Sequence, residues 1–221
     1  GDVRGWGDFL TAMQNVLADQ RPKQGAGIRF LTEGITSPTV GRQIGLIPQA
    51  FPQAKLHHWD AVPQDGARAA GTAGTAPIYH FDKADVVVTL DADFLTCGPA
   101  SVRYSRDFAD RRRAGIGAGH TPAPQAPMNR LYAIESTPTL TGAKADHRLA
   151  LRASEIEAAA RALSSGASGT FSNANAATFL AAVAKDLQAH GGRSLVIAGD
   201  YQPPAVHQLA HALNQSLGNI G

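Results

Sequence analysis

Apolar residues recur along this chain with two different periods. In Asp8–Asp19 (DFLTAMQNVLAD) they fall at Phe9, Ala12, Met13, Val16 and Leu17, the spacing of one helix face, with Asp8 suited to cap the start and Pro22 to end the run. Gly27–Thr32 (GIRFLT) and Lys55–Trp59 read as short strands. Between them, Ser37-Pro38 opens a helix towards Phe51, weakened by Gly41, Gly45 and Pro48. Asp60–Pro77 is rich in Gly, Ala and Pro and is expected to be loop with at most one helical turn. Asp85–Leu90 (DVVVTL) is apolar almost without interruption, as a central parallel strand covered on both faces must be. A helix is predicted over Ala100–Arg113, where three arginines at the carboxyl end suit the helix dipole.

Gly115–Pro127 reads as a Gly/Pro-rich loop, Arg130–Glu135 (RLYAIE) as a strand, and Ser136–Leu151 as irregular and polar. Ser154–Leu163 and Ala176–His190 follow as helices around the Ser/Gly-rich loop Ser164–Asn173, then the strand Ser194–Ala198 (SLVIA) and a closing helix over Pro204–Leu217. Such alternation implies parallel strands joined by right-handed helical crossovers. The expected class is therefore α/β: a doubly wound, mostly parallel Rossmann-like sheet with helices on both faces, in one domain over 1–221, with any subdivision near 115–127. Ligands of such sheets sit beyond the carboxyl ends of the strands. That singles out Thr32–Ser37, Asp91–Pro99, Ser136–Thr141 and Gly199–Pro203.

Composition narrows the function classes. Of 221 residues, 20 are Lys or Arg and 18 Asp or Glu, and this near-neutral balance gives no electrostatic case for a nucleic-acid partner. Aromatic residues at 6% leave little for base stacking. The single cysteine, Cys97, excludes an internal disulfide, a cysteine-ligated iron–sulfur cluster and a multi-cysteine zinc site within this chain. No apolar run reaches the roughly 18–20 residues of a membrane helix, and no signal peptide is visible. The sequence starts at Gly1 without an initiator Met and stops in LGNIG, so an internal fragment of a larger subunit is expected.

The chemically capable residues are few. Asp91 and Asp93 follow the central strand two residues apart; their carboxylates either converge on a metal or shared proton, or serve the commoner purpose of capping and loop-tying. They would repel a phosphate at this turn. His207 and His211 are spaced like the pair of a zinc-binding helix, but Gln208 stands where HExxH has Glu, and a third ligand is lacking. The adjacent His57 and His58 point to opposite faces of a strand and cannot chelate together. Gly115, Gly117 and Gly119 lack the strand–turn–helix context of a phosphate loop. Cys97 lies at a strand-to-helix turn that could lower a thiol pKa, with no histidine near it in sequence.

Four segments carry more than spacing: HFDKADVVVTLDADFL (80–95), VRYSRDFADRRR (102–113), MNRLYAIESTPTLTGAKADHRL (128–149) and GRSLVIAGDYQPPAVHQLAHALNQSLGNIG (192–221). Together they resemble the molybdopterin-oxidoreductase-like domain of the large iron–sulfur subunit of bacterial alternative complex III, a relative of the dimethyl-sulfoxide-reductase superfamily. The resemblance implies a place in a membrane-bound quinol:electron-acceptor oxidoreductase, on the periplasmic side of the bacterial cytoplasmic membrane. It implies as partners a cluster-bearing domain of the same subunit and neighbouring subunits. Catalytic relatives bind molybdenum through Cys, selenocysteine or Ser near the stretch matching HHWDAVPQDGA, but none of these occurs between Leu56 and Ala70. They also carry a G-S/A-N-P dinucleotide loop where this chain has Asp91-Ala92-Asp93-Phe94.

The resulting expectation is a scaffold without catalytic residues or a cofactor of its own, and without activity in this chain alone. Vestigial-site candidates are Asp91, Asp93, Cys97, Thr137 and Thr139, and the weak metal candidates are His207 and His211. Two alternatives stay open. One is a molybdopterin-dependent oxidoreductase fragment that binds molybdopterin guanine dinucleotide with ligands outside this chain. The other is a nucleotide or small-molecule binding module.

Overall fold

The structure is a computed structural model that describes residues 3–61, 65–70, 77–113, 128–166 and 169–221. It divides the chain into two compact units, Gly1–Pro63 and Gln64–Gly221. The subdivision expected near 115–127 and the glycine run GIGAG lie outside the described residues.

The first unit contains α1 (Trp6–Gln20), β1 (Arg29–Thr32), α2 (Pro38–Ala50) and β2 (Lys55–His58). β1 and β2 pair in parallel, Arg29 opposite Lys55 and Thr32 opposite His58. Ser37 caps α2 by accepting from the Val40 N–H, and α2 continues through Pro48 near its end. The apolar stripe predicted for α1 exists but covers no core: Trp6, Phe9, Leu10, Met13 and Val16 are all exposed.

The second unit holds the core. Its elements are α3 (Asp65–Ala69), β3 (Val86–Leu90), α4 (Ser101–Asp110), β4 (Arg130–Glu135), α5 (Leu140–Lys144), β5 (His147–Ala150), α6 (Ile156–Ser165), α7 (Ala176–Ala189), β6 (Ser194–Ala198) and α8 (Pro204–Ser216). The four strands form a parallel sheet in the order β5-β4-β3-β6. This is the predicted α/β class, and DVVVTL sits in the sheet interior with all five β3 residues buried. The segment 136–151, expected to be irregular, instead holds α5 and β5. β5 escapes the sequence pattern because it is an edge strand of four residues with only Leu149 buried, so no alternation marks it.

Side chains alternate between the faces of the sheet. Val86, Val88, Leu90, Tyr132, Ile134, Val196 and Ala198 pack against α6, α7 and α8 through Ile156, Leu163, Leu180, Val183, Leu187, Val206 and Leu213. On the other face, Val87, Leu131 and Ile197 pack with Phe81, Phe94 and Phe108. Phe81 stacks on Phe94, and Phe94 meets Phe108 edge-on. Each fully buried Val, Leu or Phe contributes about 1.5–3 kcal/mol of transfer free energy, so both faces are closed by substantial apolar cores.

The arginines expected only to complement the helix dipole do more specific work. Arg111 and Arg193 both pair with Asp85 at the amino end of β3. Arg112 pairs with Asp146 and lies 4.6 Å over the Phe108 ring. These bonds tie the end of α4 to the amino ends of the strands, the side of the sheet away from any strand-end site.

Candidate functional site

β3 leads to α4 on one face, and its neighbour β6 leads to α8 on the other. Connections that diverge from adjacent parallel strands define a topological switch point, where an open α/β sheet ordinarily offers a ligand crevice. Three of the four segments singled out from the sequence meet at this end of the second unit: 91–99, 136–141 and 199–203.

Asp91 is the centre of that meeting. It is one of two non-glycine residues with positive φ among the described residues, at 55°, a left-handed conformation that Asp tolerates better than most residues. Its N–H donates to the Ile134 carbonyl at 2.7 Å. Its carboxylate accepts from the Ser136 N–H at 2.9 Å and from the Ser136 hydroxyl at 2.9 Å. The same carboxylate accepts from Gln202 Nε2 at 3.1 Å.

Asp93 uses different partners. Its Oδ1 accepts from the Thr141 N–H at 3.1 Å and the Thr141 hydroxyl at 2.6 Å, and its Oδ2 from the Thr96 hydroxyl. The Thr141 hydroxyl in turn accepts from the Leu95 N–H at 3.3 Å. The two carboxylates therefore do not converge. Each is turned onto a neighbouring loop, as the loop-tying reading anticipated.

Thr139 caps the short α5: its hydroxyl accepts from the Gly142 N–H at 3.0 Å and donates to Glu135 at 2.7 Å. Glu135 ends β4 with its side chain 3% exposed and also pairs with Arg148. A Cβ on Gly142 would stand 1.9 Å from Glu135 Oε1, so glycine there makes room for the buried carboxylate. Thr137 is exposed and lies outside these bonds. Cys97 is exposed too, its Sγ 3.8 Å from the Thr96 hydroxyl.

The two histidines of α8 have different surroundings. His207 is half-buried against α3, where a Cβ on Gly66 would approach its ring to 3.4 Å, and burial holds its pKa below the ordinary imidazole value. His211 is exposed and borders an open groove of about 570 Å³ beside the start of β6, together with His80, Lys83, Arg193 and Asn219. That groove is away from Asp91 and shares none of its residues. Among the described residues, no group of three or more His, Cys, Asp or Glu could hold a metal ion.

Several structure-bearing residues escaped the sequence reading. Gln202, Glu135, Gly142 and Gly199 matter through long-range contacts that no local pattern announces. Asn214 is the clearest case. Its amide donates to the Val196 carbonyl at 2.7 Å and accepts from the Val196 N–H at 3.0 Å, closing the free edge of β6. Asn219 does the same for the Ser194 N–H at 3.4 Å. The one available signal was two asparagines near the end of a helix that follows an edge strand.

In the first unit the carboxyl ends of β1 and β2 are joined by Asp60, which accepts from the Gly34 N–H at 2.7 Å and pairs with His58 Nε2 at 3.1 Å. His57, its neighbour on β2, is exposed.

A pyrophosphate at the β3–β6 end would meet the negative charge of Asp91 and Asp93. The Gly199 backbone lies so close to Asp91 that a Cβ would stand 2.0 Å from the Asp91 carbonyl oxygen. No model of a known protein family matches this chain, and no curated protein does either.

Proposed function

We propose that this chain is a non-catalytic scaffold domain of an electron-transfer subunit in a respiratory quinol:electron-acceptor oxidoreductase, retaining the fold of a molybdopterin enzyme without its molybdenum ligand. The observation that carries the reading is the inward bonding of both strand-end carboxylates. Asp91 and Asp93 spend their acceptor capacity on Ser136, Thr141, Thr96 and Gln202, so the end of the sheet where chemistry would occur is tied together instead of presenting free groups. The resemblance of 80–95, 102–113, 128–149 and 192–221 to the alternative complex III subunit supplies the respiratory setting and, with it, the periplasmic side of the membrane.

The domain would act by packing against a cluster-bearing domain of the same subunit and against other subunits. The exposed apolar side chains of α1 suit burial in such an assembly, because contiguous exposed apolar surface marks interaction sites. Among the described residues no helix is long and apolar enough to cross a membrane, so contact with a membrane-spanning partner would be made from outside the bilayer. Isolation of the assembly with a tag on this subunit tests the proposal. Co-purification with an iron–sulfur polypeptide segment and quinol-oxidising activity is the expected result. Recovery of the subunit free of both would reject it.

A further inference from the structure

We infer that Gln202 and Asp91 form a lock that closes the switch-point crevice between β3 and β6, making the site where such a sheet would take a ligand a structural joint. The inference deepens the scaffold reading and rests on it for its meaning.

Gln202 belongs to the turn after β6. Its N–H donates to the Gly199 carbonyl at 3.0 Å, and the residue is 6% exposed although its side chain is polar. A buried amide requires partners, and this one has a carboxylate: Nε2 donates to Asp91 Oδ2 at 3.1 Å. Its carbonyl lies directly under α3, where a Cβ on Gly66 would come within 2.4 Å of it. The residue is therefore closely approached by α3 at its backbone and bonded to Asp91 through its side chain.

Asp91 is shaped for the same purpose. Its left-handed backbone turns the chain immediately after β3, so that its carbonyl meets the Cα of Gly199 while its carboxylate lies across the end of β4 at Ser136. The Gly199 N–H completes the joint by donating to the Leu90 carbonyl at 2.9 Å. Three consecutive strands of the sheet, β4, β3 and β6, are thus stapled at their carboxyl ends through one side chain.

The coupling between the two side chains can be read directly. Gln202→Glu replaces an attractive contact by two facing carboxylates, which repel only when both are ionised. Relative to wild type at each pH, its thermal midpoint should be nearly unchanged near pH 4. It should fall behind by about 2–4 °C or more by pH 7, the size expected for about one kcal/mol in a domain of this length. Asp200, Tyr201 and His207 around this turn, and Asp65 and Arg68 on α3, are the other charged or titratable groups nearby, and the Asp91→Asn background separates their effect from that of Asp91. Asp91→Asn combined with Gln202→Glu should abolish the pH-dependent deficit, because the second charge is gone. If Gln202→Glu fails to fold at pH 7, recovery of folding in the Asp91→Asn background carries the same result.

A deficit independent of pH, or one that survives Asp91→Asn, would overturn the lock. So would a rise in the wild-type thermal midpoint with guanosine 5′-monophosphate or inorganic pyrophosphate at about 5 mM that grows larger in Asp91→Asn, since that marks an anion bound at this turn and not in the separate groove lined by Lys83 and Arg193. These outcomes separate from those of the scaffold reading. An enzyme cofactor in the assembly would defeat that reading and leave the Gln202–Asp91 coupling measurable. Absence of the coupling would defeat the lock and leave the assembly as proposed.

Discussion

Replacing Asn214 by alanine should destabilise the second unit more than the loss of one exposed polar side chain could. Val196 lies on β6, the edge of the four-stranded sheet, and is 1% exposed. Its N–H and carbonyl point away from β3 and are satisfied by the Asn214 amide at 3.0 and 2.7 Å, while the same Nδ2 also donates to the Ala210 carbonyl at 3.0 Å. Asn214→Ala removes the partner of both Val196 groups at once. Leaving a buried backbone group unpaired costs about 1–3 kcal/mol, and the groove beside Asn214 admits water that would recover part of this, so the net loss is about 2–4 kcal/mol. For a chain of this size that lowers the thermal midpoint by about 5–12 °C. Urea unfolding followed by far-UV circular dichroism should show a lower midpoint with an unchanged slope, the mark of a stability change without a change in unfolded surface. Asn214→Asp sharpens the test: a carboxylate accepts from the Val196 N–H but cannot donate to either carbonyl, so its deficit should be larger at pH 7 than at pH 4. An Asn214→Ala variant within about 0.5 kcal/mol of wild type, the range of an ordinary surface change, would refute the edge-closing role.

Three further outcomes follow from the same geometry. Gly142→Ala should destabilise by about 2–4 kcal/mol in urea titration, against the gain of up to about 1 kcal/mol normal for a helical Gly→Ala change, because the new Cβ meets the buried Glu135 carboxylate. A neutral or stabilising result would show that Glu135 moves aside freely. His207 has its pKa lowered by burial, so the unfolded chain binds the proton more tightly. Its contribution is intact above the unfolded imidazole value of about 6.5 and is lost as pH falls from there through the depressed folded value, and His207→Gln should flatten the stability profile below about pH 6.5. For Asp146, burial pulls the pKa upward, but the Arg112 guanidinium and the Leu131 N–H outweigh it and hold the carboxyl below its ordinary range. Its stabilisation is therefore complete above about pH 4 and lost below, and Arg112→Met should reduce the acid sensitivity of unfolding.

The strands that carry the fold were legible for a specific reason. β3, β4 and β6 are buried on both faces, so VVVTL, RLYAIE and SLVIA are nearly continuous apolar runs bounded by polar turns, and the structure places them within a residue of the predicted limits. β5 was not legible, because HRLA buries one side chain and is fixed by pairing with β4 rather than by its own pattern. Three of the four strand-end segments were located from alternation alone, since topology dictates which ends of parallel strands gather, while Thr32–Ser37 belongs to the separate sheet of β1 and β2. The bonds formed there were not. Asp91 as a left-handed hub, Gln202 as its buried partner and Gly142 as a space-maker for Glu135 all depend on contacts between residues far apart in sequence, to which local composition is blind. The DAD turn gave the most useful hint: two acids directly after the central strand already offered the loop-tying role in which their carboxylates are found.

The most direct test of the scaffold account is elemental and cofactor analysis of the native assembly that carries this chain. Inductively coupled plasma mass spectrometry for molybdenum and tungsten, paired with fluorescence of oxidised pterin released from the same sample, should find neither metal nor pterin above trace relative to this subunit. Molybdenum or tungsten at one equivalent per subunit, accompanied by a pterin dinucleotide, would contradict it.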